Sequence, residues 1–325
     1  MTRGSVIYLI ISKVFYMVVM LLLISLITFG AIHLAPNSFF AAGGLNPNMT
    51  PEAIAHLKHV YGLDKSLPNQ YISWLNSMLH LDFGISFASG NSVMDEIKSR
   101  IGITLGINIV SMIAIFYLAL HFGIKSAIKG SKTDAIIKQT ALLSYATPSF
   151  YLALLLIYIF GLTLGIFPIA GIESLEPKEG IYKWFDIVWH LFLPVSVIIF
   201  TGFGSLLLYI RSLTLDILKS DYIFFAQARG LSQNQIIKYY IYPNLLPFIV
   251  TILGLSLPGL LGGSVILEQI FSIDGMGLLF FQSAMSRDYP VIMGILVIGA
   301  FLTLVGNMIA DLILLRIDPH RKRAG

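Results

Sequence analysis

Residues 220–247 read SDYIFFAQARGLSQNQIIKYYIYPNLLP. This is the longest polar-containing segment between two strongly apolar ones, and its pattern is two short helices joined at a glycine. Ser220 or Asp221 is placed to cap the first helix, which ends in Arg229, and Gly230 stands where a left-handed residue closes a helix. Ser232 with Gln235 three residues on is a capping box, and Leu231 with Ile236 has the spacing of a hydrophobic staple. Pro243 and Pro247 mark the end of the second helix and the start of an apolar span. A compact helical knob between apolar runs is a docking element rather than a catalytic one. The flanking sequence has to say what docks there.

Those flanks belong to a membrane. The 325 residues are 56% hydrophobic and only 12% charged, where a soluble domain carries about 25% charge. Mean hydropathy is +0.82. The apolar runs are too long and unbroken for barrel strands, which alternate over about 10 residues. The net charge of +4 does not point to nucleic acid, because in such a chain the distribution of charge matters more than its sum. With no cysteine, disulfides, thiolate catalysis and cysteine metal sites are excluded.

Outward from the knob, six spans can be drawn, giving an all-α polytopic fold. They are residues 14–32, 101–124, 136–161 (bent or interrupted near Pro148), 187–210 (containing Pro194), 247–270 (rich in glycine, with Gly254, Gly259, Gly262 and Gly263) and 290–315. The first is too long for a secretory signal core of about 7–15 residues. Residues 36–100 are polar and aromatic-rich and form an extracytoplasmic insertion. Thr50-Pro51-Glu52 starts a helix there, with Ile54, Leu57, Val60 and Tyr61 on one face and Gly62 closing it. Tyr71, Trp74, Leu75, Met78 and Leu81 form a second amphipathic stripe, and residues 92–100 lead into the next span. The division is therefore an N-terminal span (1–35), the insertion and lead-in helix (36–100), a five-helix core carrying the knob (101–315) and a basic tail (316–325).

With the N-terminus inside, the inner segments hold Arg3 and Lys13; Lys125, Lys129, Lys132 and Lys138; Arg211, Lys219, Arg229 and Lys238; Arg316, Arg321, Lys322 and Arg323. These are 14 of the 21 basic residues. Twelve of the 17 acids fall outside. The excess of Lys and Arg inside places the knob and both termini in the cytoplasm.

No chemistry-bearing constellation emerges. Gly130-Ser131-Lys132-Thr133 lacks the glycine pattern and the preceding strand of a phosphate loop, so the chain itself is not expected to hydrolyse ATP. His56 and His59 share a helical face, but no third metal ligand follows at a recognisable spacing. Asp95 and Glu96 suit a helix N-terminus better than acid–base work. Glu268 and Asp311 lie near membrane depth, where an ionisable residue is a pathway candidate; both also sit near span ends, which suits an interfacial role. Asn108, Asn307, Gln139 and Gln282 are candidate interhelical hydrogen-bond partners.

Taken in order, several short motifs resemble one family. Asp221-Tyr222, then Ala226-Gln227-Ala228-Arg229-Gly230-Leu231-Ser232, then Pro243-Asn244-Leu245-Leu246-Pro247, resemble the EAA loop of ATP-binding-cassette importer permeases. His33-Leu34-Ala35-Pro36, Tyr61-Gly62-Leu63-Asp64, Gln70-Tyr71-Ile72-Ser73-Trp74-Leu75 and Asp82-Phe83-Gly84-Ile85-Ser86 resemble its dipeptide/oligopeptide/nickel branch. So do Pro148-Ser149-Phe150, Phe167-Pro168-Ile169-Ala170-Gly171, Gly262-Gly263, Glu268, Phe271-Ser272, Gly275-Met276-Gly277, Arg287-Asp288-Tyr289-Pro290 and Asp318-Pro319. One departure is that the acid for which the loop is named is absent, its place taken near Ala226-Gln227-Ala228.

The resemblance implies a type I importer permease fold in a bacterial inner membrane. It implies partnership with a second homologous permease, two cytoplasmic ATP-binding subunits that hold ATP and Mg, and an extracytoplasmic substrate-binding protein, with no cofactor or metal in this chain. Asp221, Ala226, Gln227, Ala228, Arg229, Gly230, Leu231, Ser232, Pro243 and Asn244 would form the loop that couples to the ATPases. Glu268, Gly262 and Gly263 would lie on the pathway or outer gate. The expected cargo is a di- or oligopeptide, with nickel or a metal complex as the alternative. A gradient-driven carrier or channel would need buried ionisable relays, which are sparse here. A membrane enzyme would need a clustered catalytic set, and an accessory scaffold would leave transport intact on deletion.

Overall fold

The apolar runs become helices. The computed structural model describes residues 3–34, 65–176, 178–257, 259–262 and 265–317; among these the only β pairing is an isolated bridge between Ile85 and Ser92. In chain order the helices are α1 (Arg3–Leu34), α2 (Leu67–Leu79), α3 (Val93–Ile128), α4 (Ser131–Ala146), α5 (Ser149–Leu156, running on as a π-helix over Ile157–Thr163), α6 (Ile181–Leu218), α7 (Asp221–Ala228), α8 (Gln233–Ile236), a π-helical turn (Ile237–Ile241), α9 (Tyr242–Ser256), α10 (Gly259–Gly262), α11 (Val265–Ile270), α12 (Met276–Ser286) and α13 (Tyr289–Ile317).

Five stretches are long and apolar enough to cross a membrane: Ile11–Gly30 in α1, the whole of α3 and α6, Gln233–Ser256 through α8 and α9, and Tyr289–Ile313 in α13. Lys132–Ala146 and Ser149–Thr163 together are also long and apolar enough, but they are bent by 98° from one another, as in a broken span or a re-entrant pair. The bend falls where the sequence puts it. Thr147, directly before Pro148, is extended (φ −82°, ψ 120°), as a residue preceding proline tends to be. The all-helical, multi-span expectation therefore holds.

The core is built on α3 and α6. Their 36 and 38 residues correspond to about 54 and 57 Å of helix, against a hydrocarbon layer of about 30 Å, so both project well beyond it. One apolar cluster, with Ile124, Leu207, Ile210, Ile241 and Leu245 at its centre, joins α3, α6 and α9 at the end that carries the knob. Another, with Ile107, Leu193, Val197, Leu267 and Phe271, joins α3, α6 and α11 further out. At the inner junction Arg211 of α6 donates twice to Asp134 of α4 (2.7 and 2.8 Å), which also accepts from Ser126 of α3. The first span lies against α13 and α2. Phe29, Tyr71, Trp74 and Tyr289 pack together, Ser25 and Tyr71 share a hydrogen bond, and Lys13 pairs with Asp311.

Several boundaries differ from the sequence expectation. Pro243 and Pro247 do not end a helix. The knob's second helix passes without interruption through the π-helical turn and Pro243 into α9, with Pro247 inside it. A proline clashes with the carbonyl four residues earlier in an α-helix; the wider π turn just before Pro243 accommodates it, and the side-chain amide of Asn244 donates to the Tyr240 carbonyl (2.7 Å). The fifth crossing accordingly starts earlier and ends at Ser256 instead of continuing over 247–270, with Leu257 in a turn and helical residues described beyond it at 259–262 (α10) and 265–270 (α11). Residues 93–100 are the first turns of α3, not a separate lead-in. Leu81 lies past the end of α2, exposed and with φ +59°. The helix expected to start at Thr50 lies outside the described residues.

Candidate functional site

The knob is a rigid corner. Ser220 occupies the cap position of α7, but its hydroxyl bonds back to the Ile217 carbonyl of α6 and not to the α7 amides, so the side-chain cap expected there is not formed. The closing glycine is as expected. Gly230 has φ +81°, its amide donates to the Gln227 carbonyl, and the Leu231 amide reaches back to Ala226, the paired bonds of a Schellman ending. A Cβ at Gly230 would meet nothing within 4 Å, so only its backbone angle calls for glycine. The capping box forms: Gln235 accepts from the Ser232 amide, and Ser232 Oγ accepts from the Gln235 amide. Leu231 and Ile236 join the same apolar cluster, as the staple predicted.

Ile223 and Ala226 are buried beneath α7, seating it on the ends of α3 and α6. The opposite face is open. Asp221, Gln227, Ala228, Arg229 and Gly230 are exposed, as are Ser232, Pro243 and Asn244 on the following turns, while Leu231 is half-buried. The sequence reading passed over Phe224 and Phe225, which are 67% and 63% exposed and meet edge to face. Two adjacent phenylalanines on an exposed corner form an apolar contact surface. A cavity of about 390 Å³ opens between the knob and the helix ends, lined by Ile128, Leu218, Gln227, Leu231 and Ile237 among others.

The second candidate region is the break between α9 and α12. Glu268 of α11 is buried, not interfacial. Its carboxylate accepts from Thr104 Oγ1 of α3 (3.0 Å) and from the Leu278 amide in the first turn of α12 (2.9 Å). Thr104 Oγ1 in turn accepts from the Met276 amide (2.8 Å). The two side chains thus serve the free amides at the start of α12, whose own cap residue, Gly275, offers none. Gly275 leaves the room they need, since a Cβ there would stand 2.6 Å from both Glu268 Oε2 and Thr104 Oγ1. Gly262 ends α10, and Gly263 lies outside the described residues.

Further out, two sequence motifs about 200 residues apart are joined. The buried carboxylate of Asp288 accepts from Ser86 Oγ and from the Phe87 and Ala88 amides. Glu96 accepts from Ser89 and Asn91 and pairs with Arg100, which also donates to Asp274 (2.6 Å).

Nothing in either region forms a reaction centre. Among the described residues no three His, Asp or Glu side chains gather as a metal site, and His56 and His59 lie outside them. Gly130 and Ser131 join two helices, which is not the strand-to-helix setting of a phosphate loop. The arrangement suits binding and movement.

Comparison with known proteins agrees. Residues 119–323 match the family described as binding-protein-dependent transport system inner membrane component, and residues 6–108 match its N-terminal membrane component. The chain is 40% identical over 262 residues to an oligopeptide transport system permease protein, AppB, of Bacillus subtilis, covering 80% of this chain and 82% of that one. It is 31% identical over 302 residues to a dipeptide transport system permease protein, DppB, of Lactococcus lactis, covering 92% and 94%. A putative peptide transport system permease protein of Brucella abortus is 30% identical over 316 residues, covering 96% and 98%.

Proposed function

The chain belongs to the inner membrane components of binding-protein-dependent transport systems, and on that premise we propose that it is a permease subunit of an ATP-driven importer of di- or oligopeptides. Its family makes it a transport component and not a catalyst. In the proposed assembly it pairs with a second, homologous permease. Two cytoplasmic ATP-binding subunits hold ATP and Mg and do the hydrolysis. An extracytoplasmic binding protein delivers the cargo, and both termini of this chain lie in the cytoplasm. The relatives are named for peptides, which does not favour the nickel alternative.

The observation that carries this reading is the knob. It is doubly capped, bolted to the ends of the two longest helices, and it presents Phe224, Phe225 and residues 227–230 outward. A frayed loop would absorb displacement, whereas a corner closed by a Schellman ending and a capping box passes it on. Closure of the ATP-binding subunits would pull on Asp221, Ala226, Gln227, Ala228, Arg229, Gly230, Leu231 and Ser232. The continuous helix through Pro243 and Asn244 would carry that movement to the break beyond Ser256, with Glu268, Gly262 and Gly263 at the outer gate.

Gly230→Val tests it against Gly230→Asn. Both fill open space, but only asparagine tolerates the left-handed angle. ATP-dependent peptide uptake by membrane vesicles holding the assembled transporter should fall at least about tenfold in the valine variant, since a left-handed β-branched residue costs more than about 1–2 kcal/mol, and should persist in the asparagine variant. Normal uptake with valine would count against the coupling role.

A further inference from the structure

Helix α3 carries one polar side chain every four residues along a single face: Glu96, Arg100, Thr104 and Asn108. Each of the last three grips the broken stretch between α9 and α12. Arg100 donates to Asp274, Thr104 binds Glu268 and the Met276 amide, and the side-chain amide of Asn108 donates to the Leu260 carbonyl at 2.8 Å. That carbonyl lies in α10, between the end of α9 and Glu268 of α11. The contacts descend about 12 Å along α3 from Arg100 to Asn108. Glu96, the outermost, holds the loop 82–92 through Ser89 and Asn91, and the same loop is pinned to α13 through Asp288. At the inner end Ser111 shares the face of Thr104, seven residues on, and its buried hydroxyl has no hydrogen-bond partner.

We propose that this polar face of α3 is the catch of the outer gate. Arg100, Thr104 and Asn108 hold Asp274, Glu268, Met276 and Leu260 shut, and the loop 82–92, bonded to the same face through Glu96, is the handle by which the extracytoplasmic binding protein releases them. The proposal rests on the importer reading above and goes beyond it by naming what keeps the gate closed and where the outer signal enters. The stretch is suited to such control. Side chains of α3 reach it at Leu260, Glu268, Asp274 and Met276, and so set its position. These contacts are discrete and can be exchanged one at a time, and Ser111 offers a further partner inward when the stretch moves. Thr104, Asn108 and Glu268 are positioning residues in this scheme; none needs to touch cargo.

The chain has no cysteine of its own. Gly259 of α10 is exposed, and a Cβ there meets nothing within 4 Å, so Gly259→Cys is a reporter on the gate. Its labelling by a membrane-impermeant maleimide is followed from the outer side of right-side-out vesicles holding the assembled transporter, alongside ATP hydrolysis without binding protein. Adding Thr104→Val, which keeps the shape and removes the hydroxyl, should speed labelling at least about fivefold, because the hydroxyl's two hydrogen bonds, to Glu268 and from the Met276 amide, are both lost. It should also raise hydrolysis in the absence of binding protein. Thr104→Ser should keep both at the parent rate. Asn108→Leu, which cuts only the bond to Leu260, should act in the direction of Thr104→Val, and it provides the same reading if the valine variant is not recovered in membranes. Unchanged labelling and hydrolysis in the valine or leucine variants, or a serine variant that behaves like valine, would overturn the catch. If the Gly259→Cys parent shows no uptake dependent on binding protein, while the chain without the reporter does, the reporter is moved to Leu255. If neither does, it is the importer reading that fails.

Discussion

Gly275→Ala is a demanding test of the buried network at the break. Gly275 has φ −112°, which alanine adopts freely, so the backbone does not object. Space does. The new methyl would lie 2.6 Å from Glu268 Oε2 and from Thr104 Oγ1, and 2.7 Å from Glu268 Cδ. These are side-chain ends, but both side chains are buried and held by hydrogen bonds, so neither swings aside freely. Relief requires the carboxylate or the hydroxyl to withdraw, which breaks bonds to the Leu278 and Met276 amides. Overpacking costs about 1–3 kcal/mol, and a hydrogen bond to a charged group contributes about 1.5–3 kcal/mol. A local loss of about 3 kcal/mol is expected. At about 1.4 kcal/mol per factor of ten, amide hydrogen exchange at Met276 and Leu278 should accelerate about 100-fold in the lipid-embedded protein. Gly299→Ala is the control, because a Cβ there meets nothing within 4 Å and the residue is inside α13, where alanine is favoured over glycine by about 0.5–1 kcal/mol. Exchange over 265–280 that is unchanged in Gly275→Ala, or equally fast in both variants, would refute the reasoning.

Two further outcomes follow from the same geometry. Asp288→Ala leaves the Ser86 hydroxyl and the Phe87 and Ala88 amides without their acceptor, so limited proteolysis from the outer side should cut within 82–92 faster than in the parent; equal cutting would show that the loop is held by other means. Replacing Phe224 and Phe225 together by alanine should change the thermal stability of the isolated chain little, because exposed positions typically contribute within about 0.5 kcal/mol, yet should abolish co-purification of ATP-binding subunits; retained co-purification would remove these two rings from the contact.

What the sequence disclosed, it disclosed through local signals. The capping box, the left-handed glycine and the staple each involve residues within five positions of one another, and all three are present around Gly230. Span length is likewise local, so the crossings are legible. Pro243 and Pro247 misled because a proline reports only that an α-helical amide is missing; whether the helix stops or widens into a π turn depends on Asn244, Tyr240 and the packing of Ile241. For Glu268 the sequence leaves a pathway role and an interfacial one both open, because distance from a span end is the only local guide. Its burial is set by Thr104, 164 residues away, and by the space at Gly275. The four-residue step from Glu96 to Asn108 was visible in the sequence, but a polar step on one helix does not say what it faces. Phe224 and Phe225 carry no local signal of which way they face, and only the seating of Ile223 and Ala226 turns them outward.

The two candidate regions are mechanically close although they lie at opposite ends of the chain's spans. The knob's second helix is the base of the crossing Gln233–Ser256, and the break begins one residue beyond its top. Movement at the knob therefore reaches residue 257 along about 36 Å of helix, with the π-helical turn as its single irregular point. The broken stretch is gripped from the side by α3, which is about 54 Å long and whose inner end packs under the same knob through Ile124. Under the proposed function, a rotation of about 5° of α9 relative to α3 shifts the top of α9 by about 3 Å over that 36 Å length. Hydrogen bonds of 2.8–3.0 Å, such as Asn108 to Leu260 and Thr104 to Glu268, do not survive a shift of that size. An inner pull and an outer release then act on the same few contacts, which explains how an importer with this chain can require both ATP and a docked binding protein before its gate opens.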